Sequence, residues 1–285
     1  MPDIPTRNDP PQNPGPTSVG PGSPIPEMPT GPERNVRLIG GTAIDGAPIA
    51  YIIALAAVVA ALAMIPLSYV VGGSGSFPLS QAIYGLLGWI LGPIAGAIAN
   101  GIGSLVGVVI APYTAGPIPW LRVYSAVLGS FAAGTMFAFP HRKIWWIPAA
   151  LWAALSLALY IGHATLTNGI SWQVVLAGTI VDWSATLLFI LPTRNLVVRW
   201  IKSENKLATF FGLFLGTWIV YGLSHVFTSA ILNLSSNMPV NIWLTIIPLI
   251  PLEMLVRCTV GALIGTGVIA GMRAIHLPIP SKGIL

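Results

Sequence analysis

Between Pro48 and Arg273 the chain is a nearly unbroken series of apolar segments. Most of them are close to the length of about 20 residues that an α-helix needs to cross a bilayer. Only 7% of the 285 residues are charged, whereas a soluble domain carries about 25%. The sequence therefore predicts an all-α, polytopic protein of the cell membrane, with lipid around its apolar surface.

Eight apolar segments are predicted as transmembrane segments. They cover about 49–71, 78–91, 93–110, 119–139, 144–163, 171–191, 207–232 and 241–272. The second segment is short for a full crossing, so a tilted helix and a re-entrant hairpin with the third segment both stay open. Gly92-Pro93 separates these two segments and predicts a tight helix break.

The basic residues outside the predicted spans share one position: they precede the first span or follow an even-numbered one. They include Arg34, Arg37, Arg142, Lys143, Arg194, Arg199, Lys202, Lys206, Arg273 and Lys282. Short loops rich in Lys and Arg remain on the cytoplasmic side, so both termini are predicted to be cytoplasmic. The same rule accounts for the formal charge of +5, and no nucleic-acid partner is expected.

Three regions follow from composition. Residues 1–47 are rich in proline and are predicted to be a disordered cytoplasmic tail, residues 48–275 a helical transmembrane domain, and residues 276–285 a short cytoplasmic tail. The proline-rich tail is predicted to be inert, with docking of a proline-recognising partner as the alternative. Cys258 is the single cysteine, so the sequence predicts neither an intramolecular disulfide nor a cysteine-based metal site.

Few polar side chains lie at membrane depth, and each needs a reason because burying an ionisable group in lipid costs free energy. The candidate binding residues are Arg122, His163, Asp182, His225 and Glu253, with the aromatic residues Trp120, Tyr124 and Trp183 and with Gln81 and Asn233 at the rim. Arg122 could hold a carboxylate or phosphate, the two acids an amine or a cation, and the aromatic rings a planar ligand. An outward-facing cavity would bring them into use.

A structural reading of the same residues stays open. Glu253 and Arg257 are four residues apart on one helix face, so they are predicted to neutralise each other. Asp182 could pair with Arg122 or with a histidine to hold helices together. Pro248 and Pro251 are predicted to break the outer half of the last helix.

Small residues recur at four-residue spacing on two segments. On the first, Ala50, Ala54, Ala56, Ala57, Ala60 and Ala61 form three small-xxx-small pairs, which suit either internal packing or a separate membrane subunit. On the third, Gly92, Gly96, Asn100, Gly103 and Gly107 predict tight packing inside the bundle.

The sequence carries no zinc-protease HExxH, no nucleotide-binding GxxxxGK[ST] and no metal-spaced Cys/His cluster. Gly72-Gly73-Ser74-Gly75 matches the G-x-S-G element of rhomboid-type proteases, but it lies in a predicted outer loop without a convincing partner histidine. We therefore predict no enzyme activity, no catalytic residue, no metal and no cofactor.

The run from Leu91 to Gly103 reads LGPIAGAIANGIG and follows an alanine-rich first segment, a Gly- and Pro-bearing loop and a short second segment. This order resembles the substrate-binding S components of energy-coupling factor (ECF) transporters, in which L-G-P-x-x-G-A-x-x-[GN]-x-[IL]-G joins the second and third helices. The resemblance covers about residues 50–140. Members of that family usually have six helices, so a six-helix core is an alternative to eight, and no substrate residue is carried over beyond the fourth segment.

The resemblance implies a subunit that captures a vitamin or similar micronutrient from outside. It implies delivery to a transmembrane coupling protein with two ATPase subunits, contacted by Ala50, Ala54, Ala57 and Ala61. It also implies a gate over the substrate, formed by Gly73, Ser74, Gly75, Phe77 and Pro78.

Two other functions remain open from the residues alone. An ion-coupled secondary transporter would use Asp182 and Glu253 as carriers of protons or sodium. A membrane scaffold or sensor that transports nothing would act through the proline-rich tail.

Overall fold

The computed structural model describes residues 43–69, 76–116, 118–137 and 144–274. This part of the chain is mostly helical. Its ten α-helices are α1 Ile49–Leu62, α2 Tyr84–Leu91, α3 Pro93–Ile110, α4 Pro119–Met136, α5 Trp146–Gly162, α6 Trp172–Gly178, α7 Ile180–Ile190, α8 Thr193–Ile201, α9 Lys206–Ser235 and α10 Val240–Ala274. Two 3-10 turns, Leu79–Ile83 and Pro112–Thr114, precede α2 and α4, and a π-helical turn, His163–Thr167, extends α5.

Four helices are long and apolar enough to cross a membrane: α3, α5 with its π-helical turn, α9 and α10. The consecutive helices α6 and α7 make a fifth if they count as one span, although they meet at 67°. Two further apolar helical stretches, α1 and Leu79–Leu91, are shorter than a full crossing. The described helices therefore establish a helical protein with four or five helices of membrane-spanning length.

The first predicted span is longer than the helix that forms there. Helix α1 ends at Leu62, and the chain continues as strand β3 (Pro66–Tyr69), which pairs antiparallel with strand β4 (Ser76–Pro78). Pro66 explains the difference, because it lacks an N–H and disfavours helical backbone in the residue before it. Residues 66–69 of the predicted span thus belong to a β-hairpin, which is defined by its paired strands β3 and β4.

A second small hairpin lies in the last residues of the segment predicted to be a disordered tail. Strands β1 (Ala43–Ile44) and β2 (Ala47–Pro48) pair antiparallel around Asp45-Gly46, and both turn residues have positive φ, at 56° and 85°. Asp-Gly is a preferred pair for this turn, so the sequence did carry the signal. Residues 1–42 and 276–285 of the two predicted tails lie outside the described residues.

Three further differences concern helix continuity. The predicted sixth span bends at Thr179, whose hydroxyl donates to the Val175 carbonyl, and such back-bonding bends helices. The prediction that Pro248 and Pro251 break the last helix is wrong, because α10 runs from Val240 to Ala274 with both prolines inside it. Neighbouring helices in membrane bundles compensate for such prolines. Helix α8 forms where only a basic loop was expected.

Close backbone contacts confirm that the third segment packs inside the bundle. A Cβ atom added to Gly96 would lie 2.7 Å from Gly88 Cα on α2, and one added to Gly103 would lie 2.5 Å from the Ala56 carbonyl oxygen on α1. On α4, a Cβ added to Gly134 would collide with Pro93 Cα. Only glycine allows these backbones to touch, as small residues do in membrane helix pairs.

A buried polar network ties the same helices together. The Asn100 side-chain amide donates to the Ala126 carbonyl at 3.1 Å and to Ser130 Oγ at 3.0 Å, and Ser130 Oγ donates to the Tyr84 carbonyl at 2.6 Å. These bonds therefore join helices α2, α3 and α4, and they connect the start of α2 to one face of α4.

The two ends of the bundle differ in charge. The Arg194 guanidinium lies 3.7 Å from the centre of the Trp146 ring, the Lys202 ammonium 5.4 Å from that of Phe137, and Arg273 donates to the carbonyls of α8 and its following turn. Among the described residues, every Lys and Arg except two buried arginines lies at this end. At the other end, the hydroxyls of Tyr113 and Thr114 donate to the Met64 and Ala63 carbonyls, in the turn that follows α1.

Candidate functional site

A cavity of about 140 Å³ lies near one end of the bundle. No described Lys or Arg residue lies on the surface of that end. Its walls come from β4, the turn before α2, the loop between α3 and α4, the start of α4 and the second half of α9. The apolar part of the wall is formed by Phe77, Ile118, Leu121, Tyr221 and Leu232. The polar part is formed by Gln81, Tyr84, Thr114, Arg122, Ser125, Ser224, His225, Thr228 and Ser229.

Arg122 lines the cavity and is only 5% exposed. One guanidinium nitrogen, Nη1, donates to the Thr114 carbonyl at 3.0 Å and to Thr114 Oγ1 at 2.7 Å, and Nη2 lies 3.5 Å from Ser80 Oγ. No described carboxylate lies within ion-pair distance of Arg122. A buried cation held only by neutral oxygens leaves its charge available to a ligand.

His225 lines the cavity and is held by a hydrogen bond with Asp182, which does not line the cavity. Its Nδ1 lies 2.7 Å from Asp182 Oδ1, and the carboxylate is fully buried. The bond joins α7 to α9 across 43 positions of sequence. The structural reading of Asp182 as the partner of a histidine is therefore confirmed, and Asp182 does not itself line the cavity.

Glu253 also lies outside the cavity, in a cluster around Arg257. The predicted pair is confirmed, with Arg257 Nη2 at 3.4 Å from Glu253 Oε2. Arg257 donates as well to the Tyr221 hydroxyl at 2.5 Å and to Ser68 Oγ at 2.6 Å, and its guanidinium lies 4.8 Å from the centre of the Phe77 ring. Since Tyr221 and Phe77 line the cavity, this cluster supports that wall and connects the β3–β4 hairpin to α9 and α10.

Four other candidates are not brought into the cavity. His163 lies in the π-helical turn, and the Trp183 indole donates to the Leu176 carbonyl at 3.1 Å. Trp120 is 56% exposed, and Tyr124 accepts a bond from an exposed tryptophan of α5 at 2.9 Å. Residues 120 and 124 share one face of α4, whereas Arg122 is rotated by roughly 200° from them at 3.6 residues per turn. This exposed aromatic face suits the membrane interface.

Sequence reasoning missed some lining residues and placed others only approximately. Gln81 was expected at a rim and lines the cavity, whereas Asn233 instead donates to the Tyr160 carbonyl at 3.2 Å. Tyr84 and Thr114 were not predicted. Neither carries a charge, and a hydroxyl in an apolar segment gives no signal that separates a site from packing.

The predicted docking face on α1 is exposed. Ala50, Ala54, Ala57 and Ala61 are all exposed, whereas Ala56 and Ala60 are buried within the bundle. The structure thus separates two sets of small residues that the spacing alone did not distinguish. Of the predicted gate, Phe77 lines the cavity and Pro78 pairs with Pro66, while Gly73, Ser74 and Gly75 lie outside the described residues.

Comparison with known proteins gives no match, whether with family models, with curated proteins or with solved structures.

Proposed function

We propose that the protein is the substrate-binding subunit of an ECF-type importer, which captures a vitamin or similar micronutrient and passes it to an ATP-driven module. The observation that carries this proposal is the cavity, because buried Arg122 and His225 share it with apolar walls. Ionisable groups in a membrane bundle usually mark a ligand or ion site. A cavity with a few convergent polar groups among apolar side chains is also the usual form of a small-molecule site.

The proposal includes eight membrane segments in a cell membrane, with both termini in the cytoplasm. Its support is the difference between the ends of the bundle, since Arg194, Lys202 and Arg273 gather at one end and the cavity lies near the other. Under the positive-inside rule the basic end is cytoplasmic. The cavity would then be reached from outside, as an importer requires.

The partner in the proposal is a transmembrane coupling protein that carries two ATPase subunits. Helix α1 would contact it through Ala50, Ala54, Ala57 and Ala61, whose exposed side chains leave a smooth face for a second helix. The gate would include the β3–β4 hairpin, because Phe77 belongs both to this hairpin and to the wall of the cavity.

Native mass spectrometry of the full chain, extracted from its own membranes in mild detergent, tests the proposal. We expect a coupling protein and two ATPases to co-purify with the wild type and with Val58→Leu, which enlarges a neighbouring exposed side chain of α1. Ala57→Leu should lose these subunits because it roughens the proposed docking face. Purification of the wild-type chain without any such subunit would refute the importer assignment.

An ion-coupled secondary transporter is the second candidate, and the Asp182–His225 pair favours it. The pair is buried, and Asp182 Oδ2 has no hydrogen-bond partner among the described residues, so one proton could be exchanged there. Glu253 suits this role less well because Arg257 already holds it. With the ligand identified by the same mass spectrometry, uptake that stops with a protonophore but survives ATP depletion would select this candidate, and the reverse would exclude it.

A further inference from the structure

We propose that the cavity selects a small organic molecule with one negative charge, held as a carboxylate by Arg122. This inference rests on the proposal that the cavity is the substrate site, and it adds the charge and the size of the ligand.

The charges around the cavity sum to one positive charge. Asp182 and His225 form one pair at 2.7 Å, and Glu253 and Arg257 form another at 3.4 Å. The first pair is neutral as a unit, because an ionised Asp182 beside an uncharged histidine would be an uncompensated charge in a fully buried position. In the second pair, the carboxylate and the guanidinium neutralise each other. Arg122 has no carboxylate partner among the described residues, so a single negative charge on the ligand would complete the site.

Some residues that line the cavity also carry polar atoms without a hydrogen-bond partner in the described part of the chain. Arg122 Nε and the Tyr84 hydroxyl have no hydrogen-bond partner in the described part of the chain, although their residues are only 5% and 1% exposed. Both groups can donate to a carboxylate, and both residues line the cavity. Gln81 Oε1 is also unpartnered and could accept from a neutral hydroxyl or N–H of the ligand. Among the described residues that line the cavity, no further unpaired charge would balance a second charge on the ligand.

The size and walls of the cavity favour a small organic body. A volume of about 140 Å³ resembles that of an engineered cavity of roughly 150 Å³ that accepts benzene. Phe77, Ile118 and Leu121 give it apolar surface that an inorganic anion would leave uncovered. A compact monocarboxylate satisfies both the walls and the charge.

Isothermal titration calorimetry on the full chain in phosphatidylcholine nanodiscs tests this inference. The probes are benzoate, cyclohexanecarboxylate, benzamide, benzylamine and inorganic phosphate, so that charge varies while the ring is kept. We expect both carboxylates to bind, and benzoate to bind at least about tenfold more tightly than benzamide or benzylamine. Arg122→Gln should weaken benzoate by at least about 30-fold, as loss of one partner of a buried charge pair does. Arg199→Gln, on the exposed surface of α8, should leave the affinity unchanged.

Several results would overturn the inference: binding of neither carboxylate, equal or tighter binding of benzamide, benzylamine or phosphate, or an unchanged affinity in Arg122→Gln. If Arg122→Gln does not fold, Tyr84→Phe removes only a hydroxyl and should weaken benzoate several-fold, and an unchanged affinity would count against the site. The importer assignment fails separately, since a chain without coupling subunits can still select benzoate, and a chain with those subunits can still reject it.

Discussion

Replacing Arg257 with methionine should release the β3–β4 hairpin from the wall of the cavity. Two contacts of Arg257 cross from α10 to the hairpin: the 2.6 Å bond to Ser68 Oγ and the cation–π contact with Phe77 at 4.8 Å. A hydrogen bond to a charged group contributes about 1.5 to 3 kcal/mol, and an exposed cation–π contact about 0.5 to 1 kcal/mol. Because Ser68 is only half-buried, we expect the lower end of the sum, about 2 kcal/mol.

Hydrogen exchange followed by mass spectrometry measures this loss at the hairpin. A decrease of about 2 kcal/mol in the opening free energy raises the opening equilibrium, and therefore the exchange rate, by about 30-fold. The Leu79 amide, which donates to the Ile65 carbonyl at 2.8 Å, and the amides of β3 and β4 are the reporters.

Arg273→Met is the matched control, because Arg273 donates to the Ile201 and Ser203 carbonyls at the opposite end of the bundle. It should accelerate exchange around residues 201–206 and leave the hairpin unchanged. Hairpin exchange within about threefold of wild type in Arg257→Met would show that Arg257 does not hold this segment.

Three further predictions concern packing, the buried pair and orientation. Gly134→Ala should lower the free energy of unfolding by about 3 kcal/mol, because its Cβ would meet backbone atoms of α3. A Cβ added to Gly267 on α10 would meet nothing within 4 Å, so Gly267→Ala should be neutral or stabilise the protein by up to about 1 kcal/mol. Equal effects of the two substitutions on thermal unfolding would contradict the packing. Asp182→Ala should cost about 3 kcal/mol by leaving its histidine without a partner, and Asp182→Asn should cost less in the same measurement. On intact cells, a membrane-impermeant maleimide should label Ser236→Cys but not Lys202→Cys, because only the first position would face outside. The native cysteine is buried and should not react. The opposite labelling pattern would invert the proposed orientation.

Features that depend on neighbours along the chain could be read from the sequence. The apolar lengths indicated a helical membrane protein, and the four-residue spacing of Glu253 and Arg257 predicted their ion pair. The glycines of α3 predicted close packing, which the contacts of Gly96 and Gly103 confirm. These predictions hold because helix periodicity and residue size act locally.

Local signals were also overridden or missed. Apolar composition alone extended the first helix to Val71, although Pro66 ends it and a strand follows. Pro248 and Pro251 were expected to interrupt α10, yet packing in a bundle maintains the helix through both. Length and hydropathy do not record how neighbouring helices compensate for a lost hydrogen bond.

The sequence by itself determined that this protein is a helical membrane protein with few ionisable groups among its apolar segments. Only the tertiary structure decided that Arg122 and His225 share a cavity, that Asp182 stands behind His225, and that Trp120 faces away. The physical reason is that lipid and the bundle interior are both apolar, so hydropathy does not fix the rotation of a helix about its axis. Contacts between residues 43 positions apart, such as Asp182 with His225, set that rotation.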